Sequence, residues 1–346
     1  MHKNSPELLI AEPSPAPVGR MSALGAEVVL THGEMQFNDQ YGARDVWVYQ
    51  HDGTYFMHYD AAGEMGWLAA LATSSDGLTW KKQGTILELG DEGQQDSASA
   101  SYATTHFDGS SWHMFYLGTP NATPDLLKTP SFPYMTMKAT SESPTGPWTK
   151  TMDAAPFRAE VGSWFSDTAS PGAIVFIQGE YRMIFSAAMT ASDGRIWRTL
   201  GTARTTDLNS SWTVDDEPLL PFTEQIENSS LYFEESAGLW FLFTNHVGRA
   251  ADKSPEPPQN TSEYTDAVWV YWSDSLERFD PKNKAIVLDS SNCAWSPRVI
   301  GLPSVLPIGG RLAIFYDGAI EDSISHGYRD IGVAWLNLPL TPAPSS

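Results

Sequence analysis

The chain is poor in cysteine and in positive charge, and it has no long apolar run. Its single cysteine, Cys293, excludes an intramolecular disulfide framework and any multi-cysteine zinc or iron–sulfur centre. Lysine and arginine number 21 against 42 aspartates and glutamates, a formal net charge of −21. Nucleic acids and anionic membranes reward clustered cations, so neither is expected as a partner. No window approaches the ~18 apolar residues of a membrane helix. The opening stretch, MHKNSPELLIAEPSPAPVGRM, interrupts its one apolar run at Glu12 and Pro13, too early for a signal peptide, so a cytoplasmic location is expected. The eight histidines form no His-x-x-x-His pair, and no metal site is read from the motifs.

What is present is a core and many aromatic rings. Hydrophobic residues make up 41% of the 346 and charged ones only 18%, a globular composition rather than a disordered or coiled-coil one. Aromatics reach 12%, with 13 tryptophans, which suits all-β folds and sugar-stacking surfaces. Residues 1–30 read as a Pro-rich, poorly structured lead-in, 31–340 as a single domain, and 341–346 as a disordered tail.

A repeat fixes the fold class. Aromatic runs follow a glycine in DGTYFMHYDA, DGSSWHMFYLG, QGEYRMIFSA, AGLWFLFTNH and GGRLAIFYDGA. The marker glycines Gly53, Gly109, Gly179, Gly238 and Gly310 recur at intervals averaging roughly 64 residues. Each is preceded by another β-rich run, which makes a hairpin. A third strand then ends in a polar turn and an aromatic, at Trp80, Trp148, Trp212 and Phe279, and these recur with the same period as the glycines. Two markers recurring in phase, with no helical periodicity between them, predict an all-β, five-bladed β-propeller.

In such a fold the first strand of each blade lines a central channel, so residues leading those strands meet in space. They are Asp45, Asp96, Asp167 and Glu227 in blades one to four and Arg298 in blade five. Carboxylates gathered around a pore repel one another, a cost that points to function for at least some of them. Asp96 and Asp167 sit in the matching motifs DSAS and DTAS, and a structural blade-entry turn is the alternative for both.

These residues resemble the five-bladed glycoside hydrolases of family 43 and its relatives in families 32, 62, 68, 117 and 130. ARDVWVYQHDGTYFMHY from Ala43 is similar to the family 43 general-base motif R-D-P, with Val46 in place of proline. IENSSLYFEESAGLWFLF from Ile226 is similar to the general-acid motif E-G-P, with Asn228 and Ser229 in place of glycine and proline. SPGAIVFIQGEYRMIF matches the blade-three register, but Ser170 stands where the third acid would be and Asp167 lies three residues earlier. The resemblance implies Asp45 as base, Glu227 as acid and Asp167 as the third carboxylate. Arg44 is expected to keep Asp45 ionised, while Glu227 holds its proton.

FNDQYG from Phe37 resembles the nucleophile motif of families 32 and 68, but Asp45 lies closer to Gly53 than Asp39 does, at the distance expected of the catalytic acid. His326, in SHGYRDIGVAW, resembles the histidine donor of family 117. Asp96, Trp164, Trp295, Arg298 and His326 are the expected substrate contacts. The reading is an exo-acting, inverting glycosidase for a furanoside or pentoside. A retaining fructan- or sucrose-type enzyme and a non-catalytic carbohydrate-binding propeller are the alternatives. An oligosaccharide or small glycoside is the expected partner, no cofactor is required, a calcium ion in the channel is compatible with the motifs, and the oligomeric state is left open.

Overall fold

The computed structural model describes residues 14–151, 157–248, 264–320 and 323–344. The described chain is all-β apart from two short helical turns, Met35–Phe37 and Phe222–Glu224. Its strands form antiparallel meanders in chain order. Sheet I comprises Gly42–His51, Thr54–Gly63, Gly66–Ser74 and Lys81–Thr85. Sheet II comprises Ser99–Phe107, Trp112–Thr119, Tyr134–Ser141 and Thr149–Lys150. Sheet III comprises Thr168–Ile177, Glu180–Thr190, Ile196–Thr205 and Thr213–Val214. Sheet IV comprises Ile226–Glu234, Leu239–Gly248, Tyr264–Ser273 and Lys284–Leu288. Sheet V comprises Ser304–Ile308, Arg311–Gly318 and Asp330–Asn337. Short parallel contacts, Trp67↔Ser99, Leu68↔Ala100 and Tyr134↔Thr168, join sheets I, II and III at one end.

The repeating glycines lie where the backbone needs them. Asp52–Gly53, Gln178–Gly179 and Gly309–Gly310 take positive φ at both residues, the requirement of the tight hairpin turn that matches strand twist. Beside four of the hairpins an aromatic pair faces across the strands: Tyr49 on Phe56, Phe107 on Trp112, Phe176 on Tyr181 and Phe233 on Trp240, with ring centroids 4.7–5.2 Å apart.

Apolar clusters fill each junction between neighbouring sheets. Phe115 of sheet II packs with Met183, Phe185 and Trp212 of sheet III. Leu200 of sheet III packs with Leu242, Tyr271 and Phe279 of sheet IV. A further cluster joins sheets IV and V, and another places Val46, Val48 and Met57 of sheet I against Ala313, Phe315 and Val333 of sheet V. The first strands touch in the cyclic order I, II, III, IV, V and back to I. Val48 N–H donates to Ser304 Oγ at 2.8 Å, and Val305 N–H to Ser230 Oγ at 3.1 Å. The closing aromatics Trp148, Trp212 and Phe279 wedge between sheets, which is why they recur in phase.

The expected lead-in requires correction. Gly19–Arg20 pairs in parallel with Lys284–Leu288, and Leu24–Leu30 pairs with Asp330–Asn337, so residues 19–30 supply outer strands to sheets IV and V. At the other end Leu340 and Ala343 are buried in the cluster between those sheets. Residues 1–13 and 345–346 lie outside the described part.

Candidate active site

One end of the sheets encloses a cavity walled by all five. Sheets I to IV reach it from the start of the first strand, towards the end of the second and at or near the start of the third, and sheet V from the segment that leads into its third strand. Sheet I contributes Arg44, Asp45, Asp60 and Trp67; sheet II, Ser101, Tyr102 and Tyr134; sheet III, Ser170, Ser186 and Arg198. Sheet IV brings Glu227 and Asn228, and sheet V brings His326 and Arg329.

The first strands of sheets I to IV share a device at this end. Their register breaks at Arg44/Trp47, Ser101/Ala103, Ser170/Ala173 and Ile226/Ser229. Such bulges bend a strand and redirect a side chain, and here they lie where side chains reach the cavity. Asp45 (φ 46°) and Tyr102 (φ 42°) occupy the left-handed region within two of them. That region is uncommon for any residue but glycine and is better tolerated by aspartate than by most. The bulge at Asp45 is held by its own N–H donating to Asp317 Oδ1 at 3.2 Å.

Asp45 and Glu227 therefore meet in one cavity, as their leading positions imply. Asp45 Oδ1 stands 3.7 Å from Arg44 Nη2. Loss of water around Asp45, together with Asp317 and Glu227, outweighs Arg44 and raises its pKa to about 6. Arg44 lowers the Asp45 pKa, as expected of a cation beside it, but less than burial raises it. Arg44 is divided among other partners: Nε is 3.6 Å from Asp317, Nη1 donates to His326 Nδ1 at 3.1 Å and to its carbonyl at 3.2 Å, and the guanidinium lies over Trp67. Glu227 Oε2 accepts from Asn245 Nδ2 at 3.3 Å, and Oε1 lies 3.9 Å from Arg198 Nε.

His326 also lines the cavity, but as a neutral ring. Burial and the cations Arg44, Arg329 and Arg198 push its pKa down to about 2. With Nδ1 accepting from Arg44, the ring proton belongs on Nε2, a buried atom without a protein partner. His326 can thus donate a hydrogen bond from Nε2, while burial and the neighbouring cations disfavour a second proton on its ring. Tyr102 Oη is likewise buried and unpartnered. Two donors beside the carboxylates suit a polyhydroxylated ligand.

Other expected contacts lie elsewhere. Asp96 is fully buried, accepting from Tyr116 Oη at 2.8 Å and Lys150 Nζ at 2.6 Å, and does not reach the cavity. Trp164 is core, stacked on Phe185 at 5.9 Å. Trp295 packs on Tyr316, to which its Nε1 donates at 2.8 Å, and Arg298 is exposed outside the cavity wall. Asp167 accepts from Thr190 Oγ1 at 2.5 Å and stays off the cavity lining, while Thr168 and Ser170 reach it because the bulge turns them there. Asp39 is buried against Lys82. Among the described residues no group of three or more His, Cys, Asp or Glu is placed to hold a metal ion.

Sequence reading missed Asp60, Tyr102 and Arg198. Asp60 and Arg198 belong to second and third strands, which the comparison of first strands omits. A signal for Asp60 existed: one acid inside the otherwise apolar stretch MHYDAAG, placed opposite Arg44 by the Gly53 turn.

No family model and no curated protein matches the sequence. Solved structures do match in fold. A thermostable family-43 glycoside hydrolase is similar with TM-score 0.62 and 14% identity, over 88% of this chain and 96% of that one. The catalytic domain of the family 62 α-L-arabinofuranosidase of Coprinopsis cinerea gives 0.59 and 13%, over 93% and 98%. A structure from the family 130 mannoside phosphorylases, which include hydrolases of β-1,2 mannosidic linkages in Candida mannan, gives 0.63 and 16%, over 97% and 98%. The chain shares the all-β fold of these proteins.

Proposed function

We propose that the five sheets are the blades of a five-bladed β-propeller and that the chain is a glycoside hydrolase, exo-acting and inverting, for a furanoside or pentoside. The observation that carries the reading is the meeting of Asp45 and Glu227, from first strands of sheets I and IV, in one cavity. Hydrolysis of a glycosidic bond needs an acid beside the leaving oxygen and a carboxylate on the opposite face of the sugar. Asp45, with a pKa of about 6, is mostly ionised at neutral pH yet more basic than an ordinary aspartate. It takes a proton from water as the water oxygen bonds to the anomeric carbon. The glycosidic C–O bond breaks, and the leaving oxygen takes the proton of Glu227.

Walls on every side favour a chain end over a chain interior, which supports exo action. Sheets I and IV are separated by sheet V on the shorter way round, which favours the wider carboxyl spacing of inverting enzymes, roughly 6.5–9.5 Å. The fold shared with an arabinofuranosidase supports the furanoside class. A panel of aryl glycosides and short oligosaccharides, followed by proton NMR of the first-formed anomer, tests the reading. Sugar binding without release leaves a binding module, and a retained anomer makes Asp45 a nucleophile.

One observation favours a second reading. Arg44, Arg198, Arg329 and His326 line the same cavity. Such a cluster suits phosphate as the attacking group in place of water. Release of a sugar 1-phosphate, dependent on added phosphate, would decide for phosphorolysis.

A further inference from the structure

Sheet II differs from its neighbours at the cavity end. Its second and third strands are joined by residues 120–133, whereas residues 64–65 suffice in sheet I and residues 191–195 in sheet III. Within that connection Asn121–Ala122 pairs with Pro130–Ser131, so it projects as a small two-stranded finger. The tip is held by its own bonds. Asp125 Oδ1 accepts the Leu127 N–H and the Thr123 hydroxyl, both at 3.0 Å. Thr123 N–H donates to the Thr129 carbonyl at 2.8 Å, and Thr129 N–H returns to Thr123 Oγ1 at 2.9 Å. A turn closed on itself in this way has little conformational freedom left to lose when a ligand meets it.

The finger is seated on two other sheets. Trp67 of sheet I, only 2% exposed, donates from Nε1 to the Leu127 carbonyl at 2.7 Å, and Lys128 Nζ donates to the Glu64 carbonyl at 2.6 Å. On the sheet V side the Leu127 side chain fills the space over Gly327, where an added Cβ would come within 2.7 Å of Leu127 Cδ2. Both seats adjoin cavity residues: Gly327 follows His326, and the Arg44 guanidinium lies over the Trp67 ring. From this position the finger presents Thr123, Thr129, Pro130, Ser131 and Phe132 to the cavity.

We propose that this finger is the specificity element that closes the cavity over sheets I and V and restricts the site to the terminal sugar of a glycan. The inference rests on the proposed glycosidase reading, in which the leaving group departs beside Glu227 of sheet IV. A chain interior must extend past the reacting sugar in both directions, and the finger fills the direction that lies over Trp67 and Gly327. Its inner residues mix hydroxyl and aromatic side chains, as a wall against a sugar requires.

Two variants test the role of the finger and its seat. Replacing residues 123–129 by Asn-Gly joins the paired Ala122 and Pro130 through a two-residue hairpin turn and removes the tip. Linear arabinan and linear xylan are the probes. Wild type should release monosaccharide alone from the polymer it accepts, and the shortened chain should release oligosaccharides from the chain interior as well. Trp67→Phe examines the seat without any sugar. It keeps a ring beside Arg44 but loses the donor to Leu127, so trypsin should cut after Lys128 about fivefold faster than in wild type. Oligosaccharides from wild type, a shortened chain that yields only monosaccharide or no product, or equal trypsin rates would each overturn the proposal. Wild type that releases nothing from either polymer removes the underlying reading of the substrate, and the specificity assigned to the finger falls with it.

Discussion

A half-buried aspartate such as Asp45 can be an adequate base only where its surroundings leave it ionised at the working pH, and Asp45 is placed near that boundary. Replacement by asparagine, near-isosteric but unable to take a proton, should lower turnover by several orders of magnitude while the fold persists. On the proposed reading of Asp45 as base, kcat/KM in the wild type should fall as pH drops through about 6, because protonation then removes that base. Stability moves the other way. A folded-state pKa raised from 3.8 to about 6 means that the native state holds the proton more tightly, so stability present below pH 3.8 declines as pH rises through 6. Asp45→Asn should therefore be stabilising above pH 7, by about 2–3 kcal/mol, and nearly neutral at pH 4. Melting curves at the two pH values check the sign; a variant less stable at pH 7.5 would show that the carboxylate is well solvated. Glu227→Gln should impair poor leaving groups far more than activated aryl glycosides, which need little protonation. At this scale the sequence was partly legible: leading positions disclosed Asp45 and Glu227, and a motif disclosed His326. Arg44 was visible beside Asp45, but its division among Asp317, His326 and Trp67 depends on contacts from distant strands.

Strands and turns were more legible than side-chain destinations, because period, glycine position and closing aromatic are local properties whereas the cavity is assembled by bulges. The DTAS motif illustrates the difference. Its strand was readable, but the register break at Ser170/Ala173 decides which side chains reach the cavity, leaving Asp167 bonded to Thr190 instead. Tryptophans show the same limit, since packing and sugar stacking draw on the same residue type. Trp164 stacks on Phe185 and meets Phe165 and Phe222, an environment that belongs to the core. Trp164→Ala should cost about 3–5 kcal/mol through loss of buried surface and the cavity left behind. The fraction that remains folded should hold sugar with unchanged affinity. Denaturant unfolding and a sugar titration of the same preparation separate the outcomes: weakened binding without loss of stability would return Trp164 to the substrate site.

At the scale of the whole molecule, the cyclic contacts of the first strands pose the question of how the two chain ends are secured. Residues 19–30 answer it, and their composition gave little warning, because the proline-rich stretch before them suggests an irregular segment while the pairing partners lie near the far end of the sequence. Leu24–Leu30 forms the outer strand of sheet V against Asp330–Asn337, and Gly19–Arg20 lies along the edge of sheet IV. An ion pair fastens the first, Arg20 to Asp289 at 2.7 Å, and hydrogen bonds fasten the second, with His32 N–H donating to Asp330 Oδ1 at 2.8 Å and its ring Nδ1 2.7 Å from the same oxygen. The N-terminal segment thus bridges two neighbouring sheets, and Ala23 and Ala26 pack into the cluster between them with Leu340 and Ala343. Removing residues 1–30 would uncover two strand edges and open that cluster. Exposed edges pair readily with other chains, so the truncated protein should both melt at lower temperature and self-associate. Adding charge at a single exposed position, Leu24→Lys, should leave the wild-type melting temperature nearly unchanged, since that side chain is 62% exposed. Thermal melts and size-exclusion chromatography of the two variants make the comparison. A truncated chain that remains monomeric with an unaltered melting temperature would show that the bridge contributes nothing to closure, and that sheets IV and V are held by their first-strand contacts alone.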